Sequence, residues 1–160
     1  MDYAYPWAQA IREFKFHGDT GWSAPLSTLL RSAPWVEPAL EAADWVLPIP
    51  LSQQRLRERG FNQAALIAKQ LAPHKTTTQA LLRLQDTAAQ SGLTRTQRMR
   101  NLQQAFMVEP TQVSLLQGRK VVLVDDVMTT GATLNAAATV LRSCGVAHIT
   151  GIAVARTPMG

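Results

Sequence analysis

Two carboxylates stand side by side at Asp125 and Asp126, directly after the apolar run Val121, Val122, Leu123, Val124. Past Val127 and Met128 come Thr129, Thr130, Gly131, Ala132 and Thr133, all small and mostly hydroxylated. Adjacent acids can grip hydroxyl groups through charge-assisted hydrogen bonds. Hydroxyls and a glycine at the start of a helix favour a phosphate, because the first turn offers free N–H groups and the positive end of the dipole. A ligand with hydroxyls at one end and a phosphate at the other suits both features, and a ribose 5-phosphate has that form. The glycine spacing is neither G-x-G-x-x-G nor G-x-x-x-x-G-K-[ST], so dinucleotide and P-loop readings fail. The plain alternative is Thr130 as a helix cap with Gly131 easing the turn.

A second chemical feature is basic. The net charge is +5, of which residues 51–60 carry +2 and residues 83–100 carry +3, leaving the rest neutral. Arg55, Arg57 and Arg59 belong to the first cluster; Arg83, Arg95, Arg98 and Arg100 to the second. Arginine clusters suit phosphate or pyrophosphate. They equally suit a nucleic-acid backbone, and charge alone does not separate the two. His17, His74 and His148 are scattered without ligand-like spacing, which reads as solvated or capping histidines. The one cysteine, Cys144, excludes an internal disulfide, fits a reducing compartment and reads as a small packing residue.

These groups need elements to position them. Val121–Val124 reads as a strand covered on both faces, as in a parallel sheet. Unpartnered charges do not stay in a core, so the sheet is expected to stop at Asp125, leaving the acids at its carboxyl edge, where open α/β sheets bind ligands. A helix from Ala132 to Cys144 follows, with Leu134, Ala138, Val140 and Leu141 near one face and Gly145 as its stop. Trp45 to Ile49 reads as a second buried strand, ended by Pro48 and Pro50. The arginines at 55, 57 and 59 are expected in a loop just beyond it, at the same sheet edge as Asp125. A solvated basic turn is the alternative. Gly60 then breaks the chain and a helix runs from Phe61 to Leu71, with Asn62 near its start.

Upstream, helices are expected over 6–16, with Pro6 in the first turn, over 20–31, and over Glu37–Ala43. Gly18 would end the first and Asp19 cap the second. Downstream, Leu81–Leu84 and Ala105–Val108 read as short strands, and 110–118 as a connector with a helical turn. Between them Gly92 is a hinge candidate and Thr94 can cap a helix carrying Arg95, Arg98 and Arg100. That segment either closes over a ligand or is a surface loop. Trp7, Trp22, Trp35 and Trp45 read as core or edge packing rather than a base-stacking platform.

At 160 residues and 46% apolar, the chain suits one soluble α/β domain, with 1–44 a helical hood and 45–160 the core. No apolar run approaches the about 18–20 residues of a membrane span. The N-terminus lacks a basic start followed by an apolar stretch, so a cytoplasmic location is expected.

Val121 to Thr133 closely resembles the signature of type I phosphoribosyltransferases: four apolar residues, two acids, two apolar residues, then T-T-G-x-T. The resemblance implies their fold, a mostly parallel twisted sheet flanked by helices with a hood. It implies that Asp125 and Asp126, the catalytic pair, hold the ribose hydroxyls of 5-phosphoribosyl 1-pyrophosphate. Substrate binding falls to Val127, Met128, Thr129, Thr130, Gly131, Ala132 and Thr133, the last five on the 5-phosphate. Arg55, Arg57 and Arg59 would share the pyrophosphate with magnesium, which is held mainly through the substrate. Three further stretches resemble the ComF/GntX family, linked to bacterial competence and use of DNA as a nutrient. They are KFHGD at 15–19, IPLSQQRLRERGFNQA at 49–64, and 81–106 with T-x-x-Q at Thr87–Gln90 and R-x-x-N at Arg98–Asn101. Members usually begin with a four-cysteine zinc module, which a sequence with one cysteine does not hold. The implied activity is phosphoribosyl transfer to an unknown acceptor; a non-catalytic sensor of the same ligand, or a factor holding single-stranded DNA or other competence proteins, is the alternative.

Overall fold

The structure, a computed structural model, describes residues 2, 4, 6–16, 20–84 and 94–157. The expected stop at Gly18, cap at Asp19, hinge at Gly92 and T-x-x-Q stretch lie outside the described residues, as does His17. The elements run α1 (Trp7–Phe16), α2 (Ser23–Arg31), α3 (Val36–Ala42), β1 (Trp45–Pro48), α4 (Gln53–Arg59), α5 (Gln63–Leu71), β2 (Leu81–Arg83) and α6 (Arg95–Gln103). They continue β3 (Phe106–Val108), α7 (Val113–Leu116), β4 (Lys120–Met128), α8 (Ala132–Ser143) and β5 (His148–Arg156).

β4 is the centre of a three-stranded parallel sheet in the order β1-β4-β5, and β2 and β3 form a separate antiparallel ribbon. Strand alternation sorts β4 onto two cores. Val122 and Val124 join Ile11, Phe14, Leu26, Ile67 and Leu71 from α1, α2 and α5. Val121 and Leu123 join Leu134, Leu141, Phe106 and Leu116 on the other face. A fully buried side chain of this kind contributes ~1.5–3 kcal/mol, so helices on both faces are what lets a continuous apolar run exist. The α5 stripe of Gln63, Ala64, Ile67, Ala68 and Leu71 is buried as helical spacing requires.

Three expectations are corrected. β4 does not stop at Asp125: it runs on to Met128, paired with β5 as far as Arg156. The acids project from the pleat rather than from its hydrogen-bonding edges, so charge does not interrupt the ladder. Only the β1 side ends, where Ile49 donates to the Val124 carbonyl at 2.8 Å and Pro50 has no N–H to give. The arginines at 55, 57 and 59 are not in a loop but on α4. The Ser52 hydroxyl caps it by accepting from the Arg55 N–H at 3.3 Å, and Gly60, at φ 81°, ends it in the left-handed region. α4 buries no residue, so it lacks the apolar stripe by which a helix is read from sequence. Trp35 also departs from packing, standing 51% exposed.

Other local signals hold. Thr94 and Gln97 form a reciprocal capping box at the start of α6. Lys75 donates to the carbonyls of Leu40, Glu41 and Ala43 at 2.9, 3.0 and 2.8 Å, using every ammonium proton on the end of α3. Lys75→Met should therefore destabilise the fold by about 2 kcal/mol, since those carbonyls lose a charged donor. Urea unfolding at unchanged slope checks it, and an unshifted midpoint would contradict it.

Candidate functional site

β1 ends opposite Val124 while β4 continues, so one edge of β4 is left without a strand neighbour from Asp125 onward. Beside that edge lies a cavity of about 150 Å³, lined by Asp125, Asp126, Val127 and Thr133 from β4 and α8 and by Arg55 and Arg59 from α4. Ile49, Leu51, Asn62, Gln63 and Ala64 also line it, as does Lys15 from α1. A second hollow of about 610 Å³ lies on the far side of Leu51, between α4 and β2.

The stretch Arg57 to Asn62 explains itself locally. Gly60 turns the chain and Phe61 packs its ring on Phe14 at a centroid distance of 5.8 Å. Asn62 donates to the Ile49 carbonyl at 3.0 Å and accepts from the Ala65 N–H at 3.3 Å. One side chain thus ties the end of β1 to the start of α5, fixing α4 between them above the cavity.

Helix geometry then sorts the arginines. Residues four apart share a face and residues two apart do not. Arg55 and Arg59 line the cavity, whereas Arg57 is exposed and does not. Of the three arginines grouped in the sequence, the helix thus brings Arg55 and Arg59 to the cavity wall and leaves Arg57 away from it.

The signature residues are also sorted. Asp125 and Asp126 are partly buried; Oδ1 of each accepts from the next residue's N–H, at 2.8 Å and 2.6 Å. Burial, then the neighbouring Asp126 charge, pushes the Asp125 carboxyl up to about 7. Lys15 opposes that rise, its ammonium lying 2.9 Å from Asp126 Oδ2. Thr133 and Val127 line the cavity; Thr129 and Thr130 form an exposed turn, and Met128 packs against the core. Gly131, at φ 77°, is the residue before α8, and the Ala132 N–H donates to the Thr130 hydroxyl at 3.3 Å. The turn therefore presents the start of a twelve-residue helix to the cavity rim.

Lys15 is the site residue that sequence reasoning passed over. KFHGD carries a family resemblance and no chemical signal of its own, and nothing local in the sequence links Lys15 to Asp126. Arg95 and Arg98 lie on α6, and Arg100 is exposed there. His74 and His148 are exposed, and Cys144 packs partly buried at the end of α8. Among the described residues no group of three or more His, Cys, Asp or Glu side chains could hold a metal ion, and no helix is long and apolar enough to cross a membrane.

Comparison with known proteins agrees with this architecture. The phosphoribosyl transferase domain family matches residues 57–159. The DNA utilization protein YhgH of Escherichia coli (strain K12) is 34% identical, over 92% of this chain and 66% of its own length. Competence protein F of Haemophilus influenzae is also 34% identical with the same coverage. Competence protein ComFC of Bacillus subtilis is 33% identical, over 87% of this chain and 55% of its own. The chain thus spans about two thirds or less of these relatives. Among solved structures, the glutamine phosphoribosylpyrophosphate (PRPP) amidotransferase from B. subtilis superposes with a TM-score of 0.51 at 19% identity, covering 82% of this chain and 26% of that one. The allosteric regulatory enzyme of purine biosynthesis gives 0.52 at 19% identity, with 82% and 25% covered. Those two likenesses concern the fold. With the signature strand, its acids and the following helix in the arrangement described, the chain belongs to the phosphoribosyl transferase domain family, among relatives named for DNA utilization and competence.

Proposed function

We propose that the cavity binds 5-phosphoribosyl 1-pyrophosphate and that the protein transfers its phosphoribosyl group to an acceptor, in a cytoplasmic pathway of DNA uptake or utilisation. One observation carries this reading: a carboxylate pair and two arginines line one cavity at the carboxyl edge of a parallel sheet. Hydroxyls need the first and a pyrophosphate needs the second.

In the reaction the bond from the anomeric carbon to the pyrophosphate oxygen breaks, and an acceptor atom bonds to that carbon. The transition state has oxocarbenium character. Asp125 and Asp126 fix the sugar hydroxyls so that the ring does not follow the leaving group. Arg55 and Arg59 hold the departing pyrophosphate and its developing charge. The turn from Thr129 to Thr133 anchors the 5-phosphate at the end of α8. Magnesium would fit this donor set: Asp125 and Asp126 would help to hold it together with ligand oxygens and water, the ligands magnesium prefers. When bound it would neutralise charge on the pyrophosphate.

Calorimetric titration with 5-phosphoribosyl 1-pyrophosphate, with and without magnesium, tests the binding. A screen of acceptors read by pyrophosphate release tests the transfer. Saturable binding without release under any acceptor would leave a sensor. Absence of binding, with affinity for single-stranded DNA that falls steeply with salt, would replace the reading altogether.

A further inference from the structure

The cavity of about 150 Å³ is smaller than the roughly 300 Å³ at which small-molecule sites usually begin. A phosphorylated sugar whose hydroxyls reach Asp126 there would displace whatever side chain already holds that carboxylate. Lys15 is the side chain so placed. Its ammonium pairs with Asp126 at 2.9 Å, the two side chains being 16% and 14% exposed, and both line the cavity. A lysine has a flexible stem and a single point charge, so it can change partners without moving the backbone far.

Withdrawal has a consequence. A mostly buried ammonium stripped of its carboxylate is costly unless another anion meets it. A ligand whose hydroxyls take Asp126 carries that anion, in its phosphoryl groups.

The helix that carries Lys15 is tied to the same site by a second route. Gln63, 1% exposed, donates from Nε2 to the Phe14 carbonyl at 3.4 Å and accepts from Arg59 Nη1 at 3.3 Å. The residue preceding Lys15 is thus connected through one buried amide to an arginine of the cavity wall.

We propose that Lys15 is a ligand-binding residue supplied by α1. It exchanges Asp126 for a phosphoryl oxygen of the bound ligand, so that the docking of α1 is coupled to occupancy. This rests on the reading of the cavity as a site for a phosphorylated sugar.

The test compares the full chain with Lys15→Met and Lys15→Arg, titrated calorimetrically with 5-phosphoribosyl 1-pyrophosphate. Lys15→Met is expected to bind about 10- to 100-fold more weakly, as loss of one charge-assisted contact implies, and Lys15→Arg to recover part of that. Hydrogen exchange of the α1 amides supplies a readout that mere packing would not move. Ligand should change α1 protection in the wild type and leave it unchanged in Lys15→Met. Binding by Lys15→Met as tight as wild type, or tighter, would make Lys15 a plug and overturn the proposal while leaving the site assignment standing. Failure of the wild type itself to bind would remove both. If Lys15→Met does not fold, the wild-type exchange experiment still decides: α1 protection indifferent to saturating ligand is inconsistent with coupling.

Discussion

Asp125→Asn is expected to lose about 10- to 100-fold in affinity for 5-phosphoribosyl 1-pyrophosphate, and to melt at a higher temperature than the wild type above neutral pH. The first effect follows from removing a charged acceptor, worth ~1.5–3 kcal/mol. The second follows from the cost of keeping that charge. An unfolded aspartate ionises near 3.8, whereas burial and the Asp126 charge raise Asp125 to about 7 in the fold. Between those values the folded chain holds a proton the unfolded chain has lost. Stability contributed by this group therefore falls as pH rises through that window and levels off above about 7. An asparagine has no such charge, and its Oδ1 can still accept from the Asp126 N–H as Asp125 does at 2.8 Å.

The two melting curves should thus diverge from about pH 4 to about pH 7 and stay apart beyond. Ligand affinity of the wild type should rise over the upper part of the same range, as Asp125 ionises. Melts and titrations at acidic and alkaline pH check both. Parallel melting curves, with affinity independent of pH, would show that Asp125 is neither strained by its charge nor used through it.

The second large effect separates the arginines. Arg55→Ala and Arg59→Ala should each weaken pyrophosphate-bearing ligands about 10- to 100-fold, because each removes a charged donor from the cavity wall. Arg57→Ala should stay within about twofold, since an exposed charge acts on the site only through screened distance. Inorganic pyrophosphate serves as the probe, with ribose 5-phosphate as a control that should be less affected. Equal losses at all three positions would mean that α4 rearranges in solution and that the loop expected from sequence is closer to the truth.

Much of the scaffold was legible in advance because its causes are local. Four consecutive β-branched or aliphatic residues can only be a covered strand or a buried helix, and the acids and small residues after them decide for the strand. Thr94 with Gln97, and Asn62 before Gln63, are cap signals that need nothing beyond their own turn. The failures were of the opposite kind. α4 has caps but no buried face, so the periodicity that reveals a helix was missing. Trp35 is large and aromatic, and composition alone placed it in packing that the fold does not provide.

By itself, then, the sequence determined that a strand delivers two acids and a small-residue turn to one sheet edge, and that arginines follow another strand of the same sheet. Only the tertiary structure decided which arginines look inward, because a helix has faces and a string of letters does not. Only it decided that Asp125 is raised and that Lys15 lies against Asp126. Burial and charge pairing depend on which distant segments cross at one point, and no local pattern records that crossing.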